Sequence, residues 1–115
     1  MKGNVFDISL WERKVEEKER EREADRLKTL EKTKKNLKNY FTDKGVGQVY
    51  LTGSLLEEGK FYSFSDIDIA VQGLSEWYFK VFTELEELLG RKIDLIELER
   101  CRFAELIKKN GLKIR

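Results

Sequence analysis

The sequence predicts an α/β (α+β) domain: a small mixed three-stranded sheet flanked by helices in the order α-β-α-β-α-β-α, with a long charged helix at the N-terminal side. Three observations lead there. Glycine is absent from residues 4–44 and proline from the whole chain, so a first long helix meets no breaker. Beyond Gly45, short β-prone runs alternate with helical periodicity. The length, 115 residues, fits one compact domain with 40% hydrophobic residues to fill its core.

Taken in order, Ser9-Leu10-Trp11-Glu12 is a capping box for the first helix and Lys44-Gly45 its stop. Leu27, Leu30, Leu37 and Phe41 form an apolar stripe on its second half. Residues 16–23 are eight consecutive charges without an apolar face, so the first half is expected to project into solvent, with Trp11 and Val15 beyond it read equally as a frayed end or as an anchor for a second chain. The division that follows is an extension over residues 1–26 and a folded domain over 27–115. Gln48-Val49-Tyr50-Leu51-Thr52 is the first strand, and Leu55-Leu56-Glu57-Glu58 starts a short helix. Asp66-Ile67-Asp68-Ile69-Ala70-Val71 is the second strand. Ser75 caps a helix carrying Trp77, Val81, Leu85, Leu88 and Leu89, stopped by Gly90. Lys92-Ile93-Asp94-Leu95-Ile96-Glu97-Leu98 is the third strand, and Phe103, Leu106 and Ile107 mark a last helix ending near Gly111.

Composition excludes several classes. Lys and Arg number 23 against 22 Asp and Glu, a net charge of +1, which weighs against nucleic acid as a partner. No run approaches the ~20 apolar residues of a membrane span, and the first seven residues lack the apolar core of a secretory signal. Cys101 stands alone and histidine is absent, which excludes an internal disulfide and a Cys/His zinc site. The expectation is a cytoplasmic protein. Interleaved Glu, Lys and Arg without proline or histidine is also the composition of a heat-adapted source.

The chemistry concentrates in the second and third strands. Side chains alternate across a strand, so Asp66 and Asp68 share one face while Ile67, Ile69 and Val71 supply the other. Aspartate is depleted in strands, and two carboxylates so placed repel unless a cation sits between them. Asp94 interrupts an otherwise apolar strand, and if that strand lies beside the second, one cluster gains three carboxylates. All-oxygen ligands suit Mg²⁺ or Mn²⁺. Alternatively, a solvated sheet face accounts for the same residues. Upstream, Gly53 permits close backbone approach, and Ser54 opens a helix whose N–H groups suit phosphate oxygens. A phosphate cradle just before a carboxylate pair is the layout for a metal-bound nucleoside triphosphate. Lys60, in the intervening loop, reads more simply as a solvated lysine.

Gly53-Ser54, a spacer, and Ser65-Asp66-Ile67-Asp68-Ile69-Ala70-Val71 together resemble the signature of the DNA polymerase β-type nucleotidyltransferase superfamily. The short length, with Asp94 in Lys92-Ile93-Asp94-Leu95-Ile96, makes the chain look like the minimal nucleotidyltransferases (MNT proteins) over residues 28–110. The likeness departs from the family pattern twice. The spacer, residues 55–65, is eleven residues where ten is usual, and Leu55 and Leu56 stand where many relatives carry a basic residue. The resemblance implies that Asp66, Asp68 and Asp94 are catalytic and hold two Mg²⁺ ions (or Mn²⁺), with ATP as substrate. Gly53, Ser54 and Ser65 would bind the nucleotide. It also implies a HEPN-domain protein as partner, MNT and HEPN proteins forming antitoxin–toxin pairs in which AMP passes from ATP to a toxin tyrosine. Two other readings stand beside it: a catalytically silent antitoxin that masks its partner, and a nucleotidyltransferase for a small molecule or an RNA end. So short a domain leaves no room for an acceptor-binding module, so a second protomer or another protein is expected to supply that surface.

Overall fold

The computed structural model describes residues 8–115; the reading of the first seven residues as lacking a secretory signal lies outside them. The chain runs α1 (Ile8–Phe41), β1 (Val49–Thr52), a 3₁₀ turn (Gly53–Leu56), β2 (Ile67–Val71), a 3₁₀ turn (Ser75–Trp77), α2 (Tyr78–Leu89), β3 (Ile93–Glu97), a 3₁₀ turn (Leu98–Arg100), α3 (Ala104–Asn110) and β4 (Leu112–Lys113). The sheet therefore has four strands, one more than expected, in the order β3-β2-β1-β4. β4 escapes pattern reading because two residues carry no periodicity. Only its antiparallel pairing, Tyr50 with Lys113 and Leu51 with Leu112, makes it a strand.

The sheet has two differently covered faces. Ile67, Ile69 and Val71 of β2, with Val49, Leu51, Ile93 and Leu95, pack under Leu37 and Phe41 of α1 and Val81 and Leu85 of α2. On the other face Tyr50 and Ala70 meet Leu98 and Ile107, so α3 covers that side. β2 and β3 are parallel, as a connection through a helix allows, whereas β1 pairs antiparallel with β2.

Four local expectations are corrected. Ser9 already lies within α1, so its box does not open the helix. Leu27 is half exposed; the inward stripe is Arg26, Leu30, Thr33, Leu37 and Phe41, still at helical spacing but led by an arginine. Ser75 caps nothing: it has φ +50° within the 3₁₀ turn, α2 starts at Tyr78, and Trp77 and Leu88 are exposed. Of the last helix only Ile107 is buried, while Phe103 and Leu106 face solvent.

Helix α1 also meets the body earlier than its apolar residues indicate. Arg26 is buried and donates from Nη1 to the Leu55 carbonyl at 3.0 Å, with Glu23 holding its other edge at 2.6 Å. Glu23 in turn accepts from the Gly59 N–H at 3.1 Å, and the Arg22 guanidinium stacks over Tyr62. Residues 8–21 are exposed apart from half-buried Val15.

Candidate active site

Aspartate enters β2 at a place the fold makes conspicuous. In the parallel β2–β3 ladder Asp68 stands opposite Asp94, and in the antiparallel β1–β2 ladder it stands opposite Thr52. Asp94, Asp68 and Thr52 therefore form one row across three strands, on the face that α3 covers further along. The sequence brought Asp68 and Asp94 into one cluster only on condition that their strands were neighbours, and they are. Asp66 lies one residue outside β2 and is exposed, so it borders the row from the entering loop.

The electrostatics follow from this crowding. Burial, then the neighbouring carboxylates of Asp94 and Asp66, push the Asp68 carboxyl up from 3.8 to about 6. The ion pairs among the described residues include none of the three aspartates. Nor, among those residues, does any set of three acidic, Cys or His side chains already converge closely enough to hold an ion. The donor chemistry nonetheless fits a hard cation, because the group is all oxygen, carries like charge and lacks a compensating Lys or Arg.

Gly53 closes the site from below. It follows β1 directly, takes φ +79°, and lies so close to Asp68 that an added Cβ would sit 1.9 Å from its Oδ2. Glycine is required here on both counts: backbone conformation and space. Ser54 is half-buried in the same turn, which is a single 3₁₀ turn ending at Leu56 rather than a helix running through Glu58. Leu55, at the position where a basic residue was noted as missing, is fully buried in the core.

Ser65 shapes the loop that delivers Asp66. Its Oγ accepts from the Tyr62 N–H at 2.9 Å. Arg91, which the sequence did not single out, gathers this loop. Its Nη2 donates to the carbonyls of Tyr62, Ser63 and Ser65 at 3.0, 2.9 and 3.0 Å, and the guanidinium stacks on Phe61. Nothing in its neighbourhood of sequence distinguishes Arg91 from other surface arginines. The loop over residues 55–65 is thus held by Arg91 on one side and by the Glu23–Gly59 contact on the other.

Residues 31–114 match the profile of the family described as polymerase beta, nucleotidyltransferase. The chain belongs to that family. No curated protein sequence matches it. Among solved structures, it resembles a chain from the crystal structure of a toxin–antitoxin complex, MntA–HpeT, in a mutant form with two aspartate-to-glutamate changes two positions apart. The identity is 19%, the TM-score 0.57, and the overlap 71% of each chain. At that identity the likeness is one of fold. Among the described residues, no helix of this nucleotidyltransferase-family chain is long and apolar enough to cross a membrane.

Proposed function

We propose that this protein is a Mg²⁺-dependent nucleotidyltransferase that moves a nucleoside monophosphate, AMP from ATP, onto a hydroxyl. The acceptor we favour is a tyrosine of a HEPN-domain toxin, making the chain an antitoxin. The observation that carries the reading is the row of Asp94, Asp68 and Thr52, with Gly53 pressed against Asp68. The toxin–antitoxin origin of the similar structure supports the partner class.

Asp66, Asp68 and Asp94 would hold the metal, two Mg²⁺ ions or Mn²⁺. When bound, the metal neutralises the triphosphate and lowers the pKa of the acceptor hydroxyl. Gly53 offers a backbone without a side chain at the point of closest approach, and Ser54 a hydroxyl donor, so the two orient phosphate oxygens. Asp94, at the outer end of the row, would orient the attacking hydroxyl towards the α-phosphorus; as that P–O bond forms, the bond from the α-phosphorus to the bridging oxygen breaks, pyrophosphate leaves and the hydroxyl proton passes to solvent. Ser65 and Arg91 keep the loop before Asp66 in place.

The test is label transfer from α-labelled ATP to the co-purified partner, with Asp66→Asn plus Asp68→Asn as the control. Wild type transfers label with Mg²⁺ and the double variant does not. Transfer by a folded double variant overturns the assignment. A second reading rests on buried Leu55 taking the usual basic position: a silent antitoxin that masks its partner. Equal neutralisation of the toxin by wild type and double variant would select masking.

A further inference from the structure

The segment that joins the Gly53–Leu56 turn to Asp66 is held from outside by helix α1. Arg26 is buried and donates from Nη1 to the Leu55 carbonyl at 3.0 Å, inside the turn that carries Gly53 and Ser54. Its Nε and Nη2 donate to Glu23 Oε2 at 2.9 and 2.6 Å, a paired contact that fixes the plane of the guanidinium. Glu23 Oε1 also accepts from the Gly59 N–H at 3.1 Å, so the same pair reaches four residues further along the segment. Arg22, one helical turn before Arg26 and on the same face, stacks over Tyr62 at 4.4 Å. All three side chains lie upstream of residues 31–114, so this grip comes from outside the span that matches the family.

Resting on the nucleotidyltransferase reading above, we propose that the Glu23–Arg26 pair of α1 positions the phosphate-binding turn. The turn is a single 3₁₀ turn of four residues with no side-chain cap at its start, so it has little of its own to set its orientation. A guanidinium held at the Leu55 carbonyl fixes the peptide next to Ser54 and, through so short a turn, the backbone of Gly53. The tolerance there is small. Gly53 lies so close to Asp68 that a Cβ would stand 1.9 Å from Oδ2, and a shift of about 1 Å would change both that contact and the aim of the turn at phosphate. Leu55 is fully buried, so water does not replace Arg26 at its carbonyl without opening the core. The Gly59 N–H is exposed and water can serve it, so Glu23 acts chiefly by orienting Arg26. Both are positioning residues: they act on phosphate and metal only through the backbone they hold.

The experiment measures binding of inorganic tripolyphosphate in Mg²⁺ by calorimetry, well below the melting temperature of every variant, on the full chain. Arg26→Ala and Glu23→Ala are compared with Leu85→Ala, which opens a cavity in α2 on the sheet face away from the aspartate row and so lowers thermal stability without touching the turn. The expected result is that Arg26→Ala weakens tripolyphosphate about tenfold and Glu23→Ala about threefold, while Leu85→Ala binds as wild type. Wild-type affinity in both α1 variants overturns the positioning role and leaves the phosphate site standing. An equal loss in Leu85→Ala also overturns it, since general loosening of the fold would then account for the effect. If Arg26→Ala does not fold, Glu23→Ala against Leu85→Ala decides the matter alone. If wild type does not bind tripolyphosphate, the nucleotidyltransferase reading falls and the positioning role with it.

Discussion

Two regions of this molecule are rich in charge, and they use it in opposite ways. Along α1 the signs interleave at helical spacing, as in Glu31–Lys34 at 3.4 Å, and most of these groups face solvent. At the mouth of β2 and β3 three carboxylates of one sign stand together, with Asp68 pushed up to about 6 by burial and by its neighbours. The first arrangement stabilises little and costs little. The second costs folding free energy, because burial and like charge both disfavour the ionised Asp68. The charge total is thus silent about function, and the sign pattern within a few ångströms is informative.

The largest effect expected from breaking that comparison comes from Gly53→Ala. The new Cβ meets Asp68 Oδ2, and alanine must take φ +79°, so the variant should lose about 2–4 kcal/mol in denaturant titration. It should also lose nucleotide affinity. A variant as stable as wild type would mean that the turn relaxes, and that close contact between Gly53 and Asp68 is not built into the site.

Next comes Arg26→Ala, in the charged helix itself. Arg26 is the one basic residue of α1 that is buried, and its bond to the Leu55 carbonyl ties the helix to the turn beneath the site. Losing it leaves that carbonyl unpaired, for a cost of about 2 kcal/mol by chemical denaturation. If the cost is no larger than for an exposed pair, the helix charges are all equivalent and the comparison drawn above loses its exception.

These two residues show what was legible in the sequence. Asp68 and Asp94 stood out in the sequence because aspartate is depleted in strands, and both lie in strands, whereas Asp66, read as part of the second strand, lies one residue outside it. What the sequence could not supply was register. That Asp68 stands beside Asp94 and Thr52 depends on which strands pair and in which direction, a long-range property. Arg26 was invisible for a different reason. A charged residue on the inward stripe breaks the hydrophobic pattern, so periodicity favoured Leu27, which is half exposed. Arg91 was missed because its partners are backbone carbonyls, which have no residue identity to read. The four-strand sheet was read as three because β4 exists only through its pairing with β1.

Asp68→Asn sharpens the comparison with the opposite sign. The folded-state pKa is raised above the unfolded one, so the protonated carboxyl is favoured in the fold. Its contribution is fully present below about pH 4 and is lost as pH rises through about 6. Near neutral pH without metal, the Asn variant should therefore be more stable than wild type by about 1–2 kcal/mol after allowance for solvent screening. The gap should close towards pH 4. Added Mg²⁺ should raise the wild-type Tm more than that of the variant, by ligand linkage. A variant less stable than wild type at pH 7 in chelator would show that Asp68 is held by a favourable partner rather than by repulsion.

The smallest effect is expected from Lys34→Ala, and its smallness is the point. Lys34 reaches Glu31 at 3.4 Å, but the Glu31 side chain is 74% exposed, so water screens the pair and mobile side chains weaken it. Alanine is also a better helix former than lysine, which offsets what little is lost. The variant should lie within about 0.5 kcal/mol of wild type, with no dependence on salt beyond that of the wild-type protein. A loss comparable to that of Arg26→Ala would mean that the α1 charges act as a coupled network. The solvated charge of the helix and the crowded charge of the site would then differ in degree only, and the inference from unpaired carboxylates to a bound cation would lose its contrast.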